Sequence, residues 1–352
     1  MSTIGGTYLT LADWAKRRDP EGKIPIIVDL LSQTNEIVDD MLWVEGNLPD
    51  GHQTTVRTGL PSGTWRMLYQ GVQPGKSTTA QITERVGNLE AYSEIDKDLV
   101  ELNGNSAQFR LSESAAFLEG ITQQFASAVV YSNSIATPAQ FMGFAPRYST
   151  VTTTNAQTAY NVIDAGGTQS TNTSIWFVGW GPNKVSGIFP RGSTMGLMHK
   201  DLGLWVKEKA DGSLYQVYRD HYQWKCGLVV QDWRYVVRIA NIDVSTLNDT
   251  TAPNFATLLT KAANMFPTAP AGLSAVQRAT AASSDLSPPS FAIYCNRTVR
   301  TALEVQLLNK PGSNNTFIYL NKDEWYGKTV MSFRGVPIRT VDALLNTETR
   351  VT

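Results

Sequence analysis

The glycine-rich run from Gly71 to Ser77 comes closer than any other segment of this sequence to a motif that carries chemistry. Backbone amides of such a run, followed by a Lys-Ser pair like Lys76-Ser77, can surround a phosphate group. The spacing is one residue short of a phosphate-binding loop, because the position that needs glycine holds Gln70. The flanking residues predict a polar hairpin instead of the strand and helix that such a loop requires. We therefore interpret the run as a surface loop.

The three histidines, His52, His199 and His221, have no metal-ligand spacing to one another or to a cysteine. His221 and Cys226 are five residues apart, which places them on opposite faces of a strand and argues against a Cys-His nucleophile. The acidic cluster from Glu94 to Glu101 lacks the glycine and the ligand spacing of a calcium loop, so it indicates a solvated helix face. No catalytic, cofactor-binding or metal-binding residue is predicted, and we expect no enzyme activity.

Tryptophan is frequent, with nine residues in the chain. Five of them lie in strand-like stretches: Trp176, Trp180, Trp205, Trp224 and Trp233. Packing against a sheet is the usual role of such residues. A carbohydrate-binding adhesin is the alternative that they leave open.

Composition places the chain among folded globular proteins, with 352 residues of which 42% are hydrophobic and 17% charged. Thirty basic and 31 acidic residues give a net charge of -1, so there is no basic excess for tight nucleic-acid binding. No apolar run approaches the roughly 20 residues that span a bilayer, and no secretory signal begins the sequence. We expect no membrane association, synthesis in the cytoplasm, and reduced, buried thiols at Cys226 and Cys295.

Hydrophobic periodicity predicts a mixed α+β fold whose longest helix runs from about Ser106 to Tyr131. Apolar residues at spacings of three, four or seven predict one buried stripe along it: Leu111, Ala115, Leu118, Phe125 and Val129. Gly120 within this helix predicts a close backbone contact. A further helix is predicted from about Ile26 to Asp40.

Residues 46–86 predict a long hairpin, with alternating Thr, Val, Gln and Arg and with turn residues at Gly59, Pro61 and Gly63. The segment carries little apolar surface for its length. It is therefore expected to rest on another surface, because an isolated hairpin is only marginally stable in water.

The order of elements, an arm, a polar hairpin, a short helix, a long helix, an α+β region and a strand-helix-strand end, resembles the Hong Kong 97 (HK97) type major capsid fold of tailed bacteriophages. Particular strings are similar to the branch of this family found in short-tailed phages, and they span nearly the whole chain: Leu11 to Lys16, Thr34 to Asp40, Trp43 to Pro49, Arg57 to Pro61, Leu89 to Ser93 and Asp232 to Asp243.

The resemblance implies a division of the chain into five parts. They are an N-terminal arm (1–45), an E-loop hairpin (46–88), a peripheral domain (89–148) with a spine helix at about 106–131, an axial domain with insertions and strands returning to the peripheral domain (149–290), and a C-terminal region that completes both domains (291–352). The implied function is assembly as hexamers and pentamers into an icosahedral head shell around double-stranded DNA. A phage tail protein or adhesin is the alternative.

The resemblance also implies partners. They are other copies of the chain, a separate scaffolding protein, a portal, a decoration protein as a further candidate, and packaged DNA contacted without sequence specificity. The expected location is the virion, after synthesis in the cytoplasm of the bacterial host. The candidates for contacts between subunits are Arg57, Trp65, Arg66 and Lys76. Lys76 is the only lysine of the hairpin, and no motif marks a partner for an isopeptide bond, so we expect non-covalent contacts.

Overall fold

The computed structural model describes residues 31–102, 106–151, 158–247, 252–267, 290–308, 320–325 and 328–352. Residues 1–30 of the predicted arm lie outside this part of the chain. Six α-helices occur in the described residues: α1 (Ile37–Asp40), α2 (Lys97–Glu101), α3 (Ser106–Tyr131), α4 (Phe144–Arg147), α5 (Phe255–Met265) and α6 (Arg297–Leu308).

The strands follow in chain order: β1 (Trp43–Glu45), β2 (Gly51–Gly59), β3 (Thr78–Arg85), β4 (Gly87–Asp96), β5 (Val162–Asp164), β6 (Asn172–Trp180), β7 (Val185–Phe189), β8 (Leu197–Glu208), β9 (Leu214–Val230), β10 (Val236–Asp243), β11 (Ser290–Cys295), β12 (Leu320–Trp325), β13 (Lys328–Phe333) and β14 (Val336–Thr340). Twelve of them form one sheet with the path β12-β13-β14-β11-β6-β7-β9-β4, while β2 and β3 form a separate two-stranded sheet. The fold is α+β, as predicted.

Strand β9 joins two regions of the large sheet. Its first part lies between β4 and β8 in antiparallel register, from Val217 opposite Asp96 to Cys226 opposite Gly87. Its last residues pair with β7 instead, with Val230 opposite Val185. The residues of β9 alternate between buried and half-buried from Asp220 to Cys226 and are all buried after it. The strand therefore passes from a sheet with one open face into the centre of the core.

Helix α3 has the predicted bounds, but the predicted stripe is buried over only half its length. Phe125 and Val129 are 1% and 0% exposed, whereas Leu111 and Leu118 are 70% and 38% exposed. The prediction that the whole stripe is buried is therefore wrong for the protomer. The predicted close contact at Gly120 is also absent within the described residues, since no atom lies within 4 Å of a Cβ built there.

The C-terminal end of α3 is fixed by the segment that follows it. Ser132 donates a side-chain hydrogen bond of 2.7 Å to the carbonyl of Phe141, and Gly143 donates its amide to the carbonyl of Ser132 at 2.8 Å. A Cβ at Gly143 would lie 2.8 to 2.9 Å from the carbonyl oxygens of three helix residues. Only glycine permits this approach, which directs the chain into α4.

The predicted helix at Ile26 to Asp40 is shorter in the described residues, where only Ile37–Asp40 is helical. Asn35 forms an antiparallel bridge with Val341, and the amide of Thr34 donates to the Asp342 carboxylate at 3.0 Å. Pairing with the C-terminal segment satisfies these backbone groups, so they do not need a helical turn.

A buried ion pair ties the C-terminal segment to the core. Arg238 and Glu348 lie 2.8 Å apart, and both side chains are 5% exposed. Arg238 also donates to Ser174 at 3.0 Å and to the carbonyl of Tyr148 at 2.8 Å, while Glu348 accepts a hydrogen bond of 2.5 Å from Tyr131 at the end of α3. Each charge is compensated, as burial requires.

Candidate inter-subunit surface

The hairpin of β2 and β3 projects from the protomer and is held only at its base. Its strands pair in antiparallel register from Gly51 opposite Arg85 to Gly59 opposite Thr78, with a bulge after Arg57. Every residue from Leu60 to Thr83 is exposed. The segment thus has no core of its own within the described structure, as its composition predicts.

An ion pair anchors the base of the hairpin to the body. Glu84 of β3 lies 2.5 and 2.8 Å from the two terminal nitrogens of Arg147 in α4. Arg147 also donates to the carbonyls of Gly143 and Met142, at 3.2 and 3.1 Å. This is a bidentate arrangement, which fixes orientation as well as distance.

The side chain of Asn47 closes the turn that leads into β2. The amide of Gln53 donates to the side-chain oxygen of Asn47, and the side-chain nitrogen of Asn47 donates to the carbonyl of Gln53, both at 2.7 Å. Gly46 donates its amide to the carbonyl of Phe189 in β7 at 2.8 Å. These contacts attach the hairpin to the edge of the large sheet.

The tip of the hairpin, residues 60–77, presents large apolar side chains to solvent. Trp65 and Tyr69 are fully exposed, and Leu60, Met67 and Leu68 are 79%, 66% and 83% exposed. Several large exposed apolar side chains in one segment are typical of a protein interface.

The four predicted contact residues all lie on the hairpin. Arg57 is exposed on β2, Trp65 and Arg66 lie at the tip, and Lys76 precedes β3. Within the described residues the three basic side chains form no ion pair. The sequence has no carboxylate between Gly51 and Thr83, so the hairpin beyond its base carries three uncompensated positive charges. The four exposed apolar residues of the tip were not among the predicted contact residues, although their apolar character stands out in a polar segment: Leu60, Met67, Leu68 and Tyr69.

The histidines of β8 and β9 make structural contacts in the described part of the chain. His199 lies 3.1 Å from Asp220, which also binds Arg110 at 2.8 Å, and His221 stacks on Tyr92. No cluster of three or more potential metal ligands occurs in this part of the chain.

The two cysteines are buried, and burial raises the pKa of Cys226 and of Cys295 to about 12. Both thiols are therefore protonated at neutral pH and are poor nucleophiles. In the acidic cluster, burial acts to raise the pKa of Glu94, but hydrogen bonds from Lys207 and Arg219 outweigh it and lower that pKa overall.

The tryptophans of the strands serve mainly as core residues. Trp176 and Trp180 are 1% exposed and Trp224 is 7% exposed, whereas Trp205 is half exposed beneath the guanidinium of Arg219. Trp224 packs with Phe125, with ring centroids 4.3 Å apart. Among these four tryptophans, only Trp205 has enough exposed surface to stack on a sugar. None of the described helices is long and apolar enough to cross a membrane.

A long hairpin with an apolar tip and a 26-residue helix packed on a mixed sheet are the features that the resemblance to a capsid subunit predicts. The chain belongs to the family of Major capsid protein GP7, whose family model matches residues 19–352. A chain of the cryo-EM structure of bacteriophage Epsilon15 is 33% identical, with full coverage of both chains and a TM-score of 0.75.

Other solved capsids are more distant. The capsid protein of a native GTA particle is 9% identical over 63% of this chain and 94% of its own, and that of bacteriophage JBD30 is 8% identical over 90% and 93%; both have a TM-score of 0.44. Among curated proteins, none matches significantly.

The family and the structural match confirm the predicted HK97-like fold and the predicted role as a major capsid protein. The family is one of structural shell proteins, so the chain assembles with copies of itself and is a component of the virion. Nothing in the comparisons supports the tail-protein or adhesin alternative.

Proposed function

We propose that the chain assembles as hexamers and pentamers into an icosahedral head that encloses double-stranded DNA, with each hairpin lying across an adjacent subunit. In this proposal residues 1–45 act as the arm, 46–88 as the E-loop, 89–148 as the peripheral domain, 149–290 as the axial domain with strands that return to the peripheral domain, and 291–352 as the segment that completes both. The proposal rests on the hairpin of β2 and β3, which is exposed beyond its base.

The described hairpin has almost no contacts with the rest of the protomer beyond its base. A two-stranded sheet buries too little apolar surface to be stable alone, and here both faces are open beyond the base. The exposed strand edges and apolar tip are a liability in a free monomer and become contacts when a second copy covers them.

Arg57, Trp65, Arg66 and Lys76 are the proposed contact residues. Trp65 supplies a large side chain that is fully exposed in the protomer, and residues of this type dominate binding energy when they are buried in an interface. The three cations favour an acidic receiving surface. We propose that these contacts are non-covalent, because no partner for an isopeptide bond is marked in the sequence.

Further partners are proposed from the capsid class. They are a separate scaffolding protein, a portal and a decoration protein, with synthesis and assembly in the cytoplasm of the bacterial host. Contact with DNA is proposed to be non-specific and weak, since a net charge of -1 provides no excess of cations to neutralise phosphates.

The test is co-expression with the scaffolding protein, followed by electron microscopy of the product. We expect closed particles for the natural chain and for Arg57→Lys, and few or none for Arg57→Glu, while circular dichroism shows the same unfolding transition for all three. Small soluble oligomers from the natural chain would overturn the shell proposal. Normal shells from Arg57→Glu would overturn the role assigned to the hairpin charge.

A further inference from the structure

The first described residues of the chain, 31–36, are attached to the body at two places, and we call them the arm root. At the first place, residues 34–36 pair with the C-terminal segment. Asn35 forms an antiparallel bridge with Val341, and the amide of Asp342 donates to the carbonyl of Thr34 at 3.0 Å. A pairing of so few residues has few backbone hydrogen bonds and is only marginally stable by itself.

Side chains of the arm root strengthen this short pairing. The carboxylate of Glu36 accepts the amide of Thr340 at 2.8 Å. The side-chain oxygen of Asn35 accepts the amide of Ala343 at 3.1 Å. Both groups therefore hold the C-terminal segment from the side of the arm root.

Asp342 holds the arm root from the opposite side. Its carboxylate accepts the amide of Thr34 at 3.0 Å, in addition to the backbone hydrogen bond between the same two residues. The carboxylate also lies 2.7 Å from the guanidinium of Arg297 in α6. The side chain of Arg297 is 65% exposed, so water screens this ion pair. Two hydrogen bonds between one pair of residues restrict the orientation of Thr34 as well as its distance.

The C-terminal segment presents Asp342 from a fixed position. Val341 and Leu344, on either side of it, are 0% and 2% exposed. The side chain of Asn296 donates to the carbonyl of Leu344 at 2.6 Å. A carboxylate that is carried by buried neighbours can fix the direction of a segment that is itself exposed.

The second attachment of the arm root lies on α3. The amide of Gln33 donates to Glu119 at 2.9 Å, and the side chain of Gln123 donates to the carbonyl of Leu31 at 2.8 Å. Glu119 and Gln123 are one helical turn apart. From residue 33 back to residue 31, the arm root therefore follows α3 toward its C-terminal end. Leu31 and Gln33 are exposed, so water competes for these hydrogen bonds and the attachment on α3 is the weaker one.

We propose that Asp342 is a positioning residue for the N-terminal arm, and that it sets the direction in which the arm root leaves the C-terminal segment. The inference rests on the proposed function, in which residues 1–45 act as the arm, and adds to it the residue that directs the arm. The two attachments lie on different elements of the body. Loss of the Asp342 contact leaves the arm root free to pivot, because the hydrogen bonds to α3 are exposed.

The experiment combines hydrogen exchange of the free, full-length protomer with electron microscopy of shells assembled with the scaffolding protein. Asp342→Ala removes the side-chain acceptor of the Thr34 amide, and exchange at Gln33 and Thr34 should rise about 5- to 30-fold. Asp342→Asn keeps an oxygen that can accept this amide, and exchange should stay within about threefold of the natural chain. We expect closed shells from the natural chain and from Asp342→Asn, and few or none from Asp342→Ala.

Asp232→Ala is the matched control. Asp232 is 20% exposed, accepts the amide of Arg234 at 3.1 Å and pairs with its guanidinium at 2.7 Å, and these contacts lie in the turn between β9 and β10. This variant should change neither the exchange of the arm root nor the yield of shells. Urea unfolding shows whether each variant keeps the cooperative transition of the natural chain. If Asp342→Ala loses it, Asn35→Ala, which removes the acceptor of the Ala343 amide, replaces it and should show the same two effects.

Three results would overturn the positioning role. The first is unchanged exchange of the arm root in Asp342→Ala. The second is normal shells from a variant whose arm root exchanges faster, which leaves the proposed function intact. The third is an equal loss of shells in Arg297→Met, which would assign Asp342 to α6 instead. If the natural chain forms no shells, the proposed function itself fails, and the exchange data separate that failure from the failure of the arm-root contact.

Discussion

Replacing Glu84 by glutamine should loosen the base of the hairpin without unfolding the protomer. Glu84 and Arg147 form a bidentate pair whose side chains are 10% and 16% exposed. The variant leaves the Arg147 guanidinium with two carbonyl partners and no counter-charge in a largely buried position. The effect is local, because the other contacts of the described hairpin with the body also lie near its base, from His52 to Gln231 and from Gly46 to Phe189.

The free-energy cost of this substitution can be estimated from the burial of the Glu84–Arg147 pair. Removing one partner of a fully buried pair costs about 3–5 kcal/mol, and the remaining exposure and hydrogen bonds of Arg147 reduce this to about 2–3 kcal/mol. The assay is hydrogen exchange of the unassembled protomer at the β2 and β3 amides nearest the base. We expect exchange there to rise roughly 30- to 150-fold, which is the same free energy expressed as an opening equilibrium.

Two further variants serve as controls. Glu304→Gln removes a carboxylate that is 54% exposed and 3.7 Å from Arg300, and it should change exchange at the hairpin by less than about twofold. The double variant Glu84→Gln/Arg147→Met should cost at least about 1 kcal/mol less than the sum of the single variants, because the two residues contact each other directly. Unchanged exchange at the hairpin base in Glu84→Gln would refute the assignment of the anchor.

The other predictions concern stability and thiol chemistry. Arg238→Met should destabilise the protomer by about 3–5 kcal/mol in urea unfolding followed by tryptophan fluorescence, because it strands the buried charge of Glu348; a loss below about 1 kcal/mol would contradict this. Burial lowers the pKa of His52 below its ordinary 6.5, so the folded state binds fewer protons than the unfolded state. The stability contributed by this group is present above pH 6.5 and is lost as the pH falls through the folded pKa, and His52→Gln should flatten that part of a stability-versus-pH curve. Cys226 and Cys295, with pKa values of about 12, should resist alkylation in the folded protein at neutral pH and react on denaturation; fast alkylation of the native chain would contradict the burial of both thiols.

Local patterns in the sequence predict the elements that depend on local interactions. The bounds of α3 follow from its helix-forming residues, and the cap of α6 follows from Asn296, whose side-chain oxygen accepts the amide of Thr298 at 2.9 Å. The hairpin is predicted by its alternation and turn residues, and the structure contains it as β2 and β3. In each case the deciding interactions lie within a few residues along the chain.

Features that depend on residues far apart in the sequence could not be predicted correctly. Residues 31–36 were predicted to be helical, but Asn35 pairs with Val341, more than 300 positions away. The partner of Arg238 is Glu348, which lies 110 positions further along the chain. A partner so far along the chain leaves no periodic signal, so a single sequence cannot identify it.

The apolar stripe of α3 shows what hydrophobic periodicity measures in a protein that works as an assembly. Leu111, Ala115 and Leu118 continue the spacing of Phe125 and Val129, yet only the latter two are buried in the protomer. Folding of the protomer alone gives no reason to keep large apolar residues on the solvent side of a helix, since they add nothing to its core. Their periodicity is explained if burial is completed by another chain. The stripe is therefore wrong as a prediction for the single subunit, and it is compatible with burial in the shell.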